Sequence, residues 1–115
     1  MGVFAAYRLW GTMLLGLLCL GTPARSDEPL RIDLVLKDHR FTPAEIHVPV
    51  GKPTQLRIRN EDPTPEEFDS AALKVEKIIT GSGYAAIRLR PLGPGRYPFM
   101  GEYHPDTATG VVVAR

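Results

Sequence analysis

Apolar residues recur at every second position in a series of short runs, and turn residues separate those runs. Leu30, Ile32, Leu34 and Leu36 alternate with Arg31, Asp33 and Lys37. Ile46, Val48 and Val50 alternate with Glu45, His47 and Pro49, and Leu56 and Ile58 with Arg57 and Arg59. Ala85, Ile87 and Leu89 alternate with Ala86, Arg88 and Arg90, Tyr97 and Phe99 with Arg96 and Pro98, and Val111 and Val113 close the chain. A period of two buries one face of a strand and leaves the other wet. Lys37–Arg40, Gly51-Lys52-Pro53, Asn60–Pro65, Thr80–Gly83 and Pro91–Gly95 supply the breaks. No segment keeps helical spacing over three turns. About seven or eight short strands with turns every eight to twelve residues predict an all-β chain, a sandwich or a barrel. The stretch from Phe68 to Ile79 is less regular and reads as one strand or two short ones.

The first 26 residues do not share this pattern. Arg8 precedes an apolar run, Leu9–Leu20, which Gly21-Thr22-Pro23 breaks. Ala24-Arg25-Ser26 then offers small residues at the −3 and −1 positions before Asp27. That order is the one of a secretory signal peptide, and a run of roughly a dozen apolar residues is short of the ~20 that span a bilayer. Residues 1–26 are therefore expected to be removed, leaving one domain, residues 27–115, in the periplasm. The only cysteine, Cys19, leaves with the signal, so the exported domain has neither a disulfide nor a thiolate metal ligand. Loss of Arg8 and Arg25 leaves 12 basic residues against 13 acidic ones, a formal charge of −1. Such a balance does not favour nucleic acid as a partner.

Strand direction decides which loops meet. Hairpin-connected strands alternate, so the loops at Lys37–Phe41 and Asn60–Glu67 fall at one end. The loop Gly101–Thr109 joins them if Phe68–Ile79 is two strands. That end would gather His39, Glu66, Glu67, Glu102, His104 and Asp106. Imidazole and carboxylate without thiolate suit iron, manganese or Cu(II) and do not favour Cu(I). In an extended segment the adjacent Glu66 and Glu67 point to opposite faces, so at most one enters such a site directly. His47 faces outward by alternation. Arg57, Arg59, Arg88 and Arg90 have two readings, a docking patch or solvated strand faces that keep edges soluble, and the second is favoured. Ser70 and Ser82 lack a paired His and Asp, and Gly81-Ser82-Gly83 lacks the lysine and helix of a phosphate loop.

Several pieces in order resemble a known family. They are Phe41-x-Pro43-x-x-Ile46-x-Val48-x-x-Gly51, Leu56-x-Ile58-x-Asn60, Leu92-x-Pro94-Gly95-x-Tyr97-x-Phe99, His104 and Gly110-x-Val112. Together they look like a cupredoxin, most similar to the EfeO-type cupredoxin-like domains of bacterial iron-uptake systems. The resemblance implies a Greek-key β-sandwich with a metal site at one end. It places His104 at the family's last-loop histidine, Gly101 at the cysteine, Thr107–Thr109 at the axial methionine and Glu66 at the first histidine. Three of four copper ligands are thus changed, and a type 1 centre, which needs a thiolate, is excluded. Similar small periplasmic proteins work beside a periplasmic metal-binding partner and an inner-membrane iron permease. The resemblance therefore implies binding of an iron or copper ion through His104 with Glu66 or Glu67; Glu102, two residues before His104, and His39, brought to that end by strand direction, complete the candidate ligands. Fe(II) oxidation or handover to the permease would follow. Two other readings remain: a metal-free adaptor docking on a transporter, and a copper carrier using Met100 and His104. Mass spectrometry of the protein from a periplasmic fraction is expected to show a chain starting at Asp27, and an intact residue 1–26 segment there would overturn the export reading.

Overall fold

The computed structural model describes residues 28–115, with Gly2, Gly11, Gly16 and Gly21 ahead of them. The expected export signal lies outside the described residues. Nine strands follow in order: β1 (Leu30–Lys37), β2 (Arg40–Thr42), β3 (Glu45–Val48), β4 (Thr54–Asn60), β5 (Glu66–Ser70), β6 (Val75–Ile79), β7 (Tyr84–Leu89), β8 (Gly95–Gly101) and β9 (Thr109–Ala114). They form two sheets, ordered β2-β1-β4-β7 and β3-β9-β8-β5-β6. β1 runs parallel to β4, and β3 runs parallel to β9. The chain leaves the first sheet at β3, returns at β4, leaves again at β5 and returns once more at β7. Strands that switch sheets in this way make a Greek-key sandwich.

The period-two rows become the core. Leu34 and Leu36 of β1, Leu56 and Ile58 of β4, and Ala85, Ile87 and Leu89 of β7 form the inner face of one sheet. Ile46, Val48, Phe68, Ile79, Phe99, Val112 and Ala114 answer from the other. Three aromatic rings meet between them. Phe68 and Phe99 stack with centroids 4.9 Å apart, and Phe41 meets Phe99 edge-on at 5.3 Å. Edge-to-face and offset contacts at such separations add to the area the rings bury. Gly110 lies opposite Phe99 across the β8–β9 ladder. A Cβ there would stand 2.2 Å from the Phe99 ring and 2.8 Å from the Ala44 carbonyl oxygen.

Four details differ from the sequence reading. Of the two readings of Phe68–Ile79 the two-strand one holds, but the first strand begins two residues earlier, at Glu66. Val50 does not extend β3, which stops at Val48, and its side chain is exposed. Asn60 ends β4 instead of opening a loop, and it is 1% exposed. Its Nδ2 donates to the carbonyl of Thr64 at 2.9 Å, and its Oδ1 accepts from the Asp62 N–H at 2.9 Å. Arg90 is not a free surface cation, since it donates to the Leu73 carbonyl at 2.8 Å and ties down the β5–β6 turn. Tyr97 is half-buried, and its hydroxyl donates to the Gly93 carbonyl at 2.9 Å, the local lock of a tyrosine corner. Gly110→Ala is expected to cost about 1–3 kcal/mol, because the Phe99 ring cannot yield without disturbing its two partners. A lowered urea midpoint with an unchanged slope would show it; an unchanged midpoint would contradict the packing.

Candidate functional site

β1 and β4 are parallel neighbours, so both end at the same end of the sandwich. The loops after them and the loop between β8 and β9 converge there. Three contacts show the convergence. The Glu61 N–H donates to the Leu36 carbonyl at 2.8 Å, Asp62 reaches back to the β1–β2 turn, and His39 lies on His104.

Alternation along β5 turns Glu66, Phe68 and Ser70 to the interior. A carboxylate thereby occupies a core row at 1% exposure. Burying it costs free energy unless its oxygens are paired. Both are. Glu66 Oε1 accepts the N–H groups of Tyr103 at 2.9 Å and Glu67 at 3.1 Å. Glu66 Oε2 lies 2.6 Å from His104 Nδ1. Both N–H bonds fall on Oε1, so an ionised Glu66 keeps Oε2 as the acceptor for His104; in that state Nδ1 carries the proton and Nε2 is the ring nitrogen left to bind. Gly101 makes room for this arrangement. A Cβ at Gly101 would stand 2.6 Å from Glu66 Cδ and 2.7 Å from the Ala108 methyl. The Glu66 side chain fills the space beside the position where the family resemblance would put a cysteine.

The opposite wall is the β1–β2 turn. Asp38 and His39 both adopt left-handed backbone, with φ of 51° and 56°. Asp62 stabilises that turn: its Oδ1 accepts the Asp38 N–H at 2.8 Å and its Oδ2 accepts the His39 N–H at 2.9 Å. Burial works to raise the Asp62 pKa. The two backbone bonds and the nearby His39 and His104 imidazoles work the other way, and they hold the carboxyl below its ordinary 3.8. The turn carries the His39 ring onto His104, with centroids 3.4 Å apart and planes within 8°. The His104 side chain is 31% exposed.

The sequence candidates thus divide. Glu66, His39 and His104 come together. Glu67 faces away from Glu66 across the strand and meets Glu102 instead. A hydrogen bond between these two carboxyls, with burial and the charges of Glu102, Glu76 and Asp69, pushes the Glu67 pKa from 4.5 up to about 7. Asp106 is exposed on the last loop. His47 faces out and pairs with Glu45 at 3.3 Å. Met100 is exposed on the outer face of β8. Asp62 is the residue that sequence reasoning missed. No local pattern marked it, because the groups it accepts from are backbone N–H groups 24 and 23 residues earlier in the chain.

A thiolate copper centre does not fit this arrangement. No cysteine occurs among residues 28–115, and the volume next to Gly101 holds the Glu66 carboxylate. Among the described residues, no three His, Cys, Asp or Glu side chains are placed to hold one ion together. The two rings lie in nearly parallel planes with centroids 3.4 Å apart, so their in-plane lone pairs do not meet at a single point. What the site offers is one imidazole held in a fixed tautomer by a buried carboxylate, a second imidazole laid over it, and a lowered-pKa carboxylate behind.

The comparisons agree with the fold. A family model described as a cupredoxin-like domain matches residues 11–114. An uncharacterized protein of Rickettsia prowazekii (strain Madrid E) is 39% identical over 93 residues, covering 81% of this chain and 74% of that protein. The metal-binding domain of the Cu(I)-exporting P-type ATPase CopA of Streptococcus pneumoniae D39, solved with Cu(I), superposes with a TM-score of 0.66 at 18% identity. It covers 74% of this chain and 84% of its own. Auracyanin A, a blue copper protein of Chloroflexus aurantiacus, gives 0.66 at 14% identity over 76% of this chain and all of its own. At such identities these structures share the fold alone.

The two carboxyls titrate with opposite signs. The folded protein holds a proton on Glu67 that the unfolded chain has released, so stability is expected to fall as pH rises from 4.5 towards 7. Asp62 contributes stability above 3.8 that is lost as pH falls through its lower folded value. Urea midpoints against pH should lose the first slope in Glu67→Gln and the second in Asp62→Asn. Parallel profiles for wild type and variants would refute both assignments.

Proposed function

This chain belongs to the cupredoxin-like domain family, and we propose that it is an EfeO-type member that handles a metal ion in the periplasm for iron uptake. The observation that carries the reading is the His104 Nδ1 to Glu66 Oε2 contact at 2.6 Å. A carboxylate on one ring nitrogen sets the tautomer and orientation of a ligating histidine and raises its basicity. Glu66 is in this reading the group that positions His104, and His104 Nε2 is the donor to the ion. His39 is the neighbouring imidazole at the rim. Donors without thiolate suit iron or Cu(II) and not Cu(I), and between these two iron is proposed on the resemblance to iron-uptake proteins.

An ion taken mainly by one imidazole keeps most of its coordination open. Water fills those positions until a partner's ligands replace it. Such binding is weak and exchangeable, which suits passing an ion from a periplasmic metal-binding partner to an inner-membrane permease. It does not suit long retention. Oxidation of Fe(II) would need an electron acceptor, and the proposal is confined to binding and handover. A second reading, a metal-free adaptor, is favoured by one observation: both oxygens of Glu66 are already engaged in hydrogen bonds.

Anaerobic Fe(II) titration and parallel Cu(II) titration, followed by calorimetry and by NMR of the imidazole protons, separate the two. His104→Ala is expected to abolish binding. Glu66→Gln is expected to weaken it ~10–100-fold, the usual loss when the group behind a ligating histidine is changed. Glu102→Ala should leave it unchanged. Equal binding by His104→Ala would sink the site, and no uptake by the wild type would leave the adaptor reading.

A further inference from the structure

The outer face of the β2-β1-β4-β7 sheet carries a groove that the loop-end site does not use. Its volume is about 370 Å³, and Arg31, Asp33, Val35, Arg57, Arg59 and Tyr84 line it. The ladder registers set the rows. Asp33 stands beside Arg57, and Val35 beside Arg59, which in turn faces Tyr84 on β7. Three guanidinium groups therefore share a lining with a single carboxylate, and that carboxylate is spoken for, since Arg31 Nε lies 3.6 Å from Asp33 Oδ1. Arg59 pairs with Glu61 at 2.9 Å on the rim. Arg57 makes no ion pair among the described residues. It lies over the Tyr84 ring with its Cζ 5.5 Å from the centroid. Tyr84 is 68% exposed, an unusual position for an aromatic on a solvated sheet face.

We propose that this groove is a docking surface for an acidic, extended segment of a partner protein. Guanidinium groups fork onto carboxylates with two parallel hydrogen bonds, so a row of arginines selects Asp and Glu side chains by geometry as well as charge. Arg and Tyr are also the residues that dominate binding energy in protein interfaces. Shape favours a polypeptide over an anionic bilayer. The groove is concave and its volume falls within the ~300–1,000 Å³ of ligand clefts. It admits a few side chains, whereas a flat headgroup layer would meet only its rim. The exported chain as a whole is not cationic, so the attraction is local to this face. A second copy is disfavoured. The acidic groups Glu67, Asp69 and Glu76 lie on the other sheet, so pairing that face with this one would be a head-to-tail contact and not the self-complementary two-fold contact commonest among homo-oligomers. The proposal does not depend on the metal reading.

A fluorescein-labelled octaglutamate peptide, titrated with the exported protein at low salt and read by anisotropy, is the test. Saturable binding is expected, lost at high salt. Arg57→Glu should weaken it tenfold or more. Tyr84→Ala should weaken it severalfold with no change of charge, which a purely electrostatic patch would not show. Arg115→Glu, the same charge reversal at the chain end, should leave it intact, and circular dichroism checks that each variant folds. Equal losses in Arg57→Glu and Arg115→Glu would overturn the proposal, as would no binding by the wild type. Arg57-dependent uptake by phosphatidylglycerol vesicles without peptide binding would overturn it in favour of a membrane surface. Arg57-dependent self-association in sedimentation, again without peptide binding, would overturn it in favour of a second copy.

Discussion

The buried Glu66 carboxylate is the constraint on which this end of the molecule depends. Placing an ionised group in a core row is tolerable only when its oxygens are paired, because an unpaired buried charge costs several kcal/mol. Here the partners come from two directions. The Glu67 N–H is local, while the Tyr103 N–H and the His104 ring belong to the loop between β8 and β9. The last loop is therefore held in position by hydrogen bonds to the Glu66 side chain on β5. Its own turn helps, with the Ala108 N–H donating to the His104 carbonyl at 2.9 Å. Every buried side-chain nitrogen and oxygen among the described residues has a partner. Removing Glu66 would orphan two backbone donors as well as the imidazole, so its replacement by an apolar residue is not a neutral change.

Gly101 and Glu66 must be understood together. A glycine at the end of β8 looks like a lost ligand in the sequence, but it is a space requirement in three dimensions. The carboxylate lies so close that any Cβ at Gly101 would displace it. Restoring a side chain at Gly101 and keeping Glu66 are mutually exclusive without movement of β5. The site is thus a different solution for the same cavity, with an internal carboxylate where the resemblance implies a thiolate. That exchange replaces a soft donor to a metal with a hydrogen-bond acceptor for a histidine.

The sandwich was legible in the sequence because burial alternates where apolar residues alternate, as in Leu34–Leu36, Leu56–Ile58 and Ala85–Leu89. Strand direction brought the first two loops together, and the third joined them only on the condition, met in the structure, that Phe68–Ile79 holds two strands. β5 was harder, since its inner row reads Glu66, Phe68, Ser70, and only one of these is apolar. Periodicity reports hydrophobicity and is blind to a polar residue whose partners lie far along the chain. Ser70 is satisfied by the Pro98 carbonyl at 2.7 Å, 28 residues away, and Glu66 by a histidine 38 residues away. Asp62 was missed for the same reason, because its donors are backbone groups of the β1–β2 turn. Glu66 and Glu67 were separable in advance by the pleat, which does not depend on distant partners.

One strand links the two surfaces. β4 alternates Leu56, Ile58 and Asn60 inward with Arg57 and Arg59 outward. Its inner row ends at Asn60, whose amide holds the following loop to the Thr64, Ile79 and Thr80 carbonyls. Two residues on, Asp62 supports the turn that carries His39 onto His104. Its outer row is the floor of the arginine groove. A protein segment lying in that groove therefore rests on the same strand whose end supports the histidine pair. This strand is central in its sheet, paired on both sides, so it is rigid. A partner docked there would be fixed in orientation to the loop end.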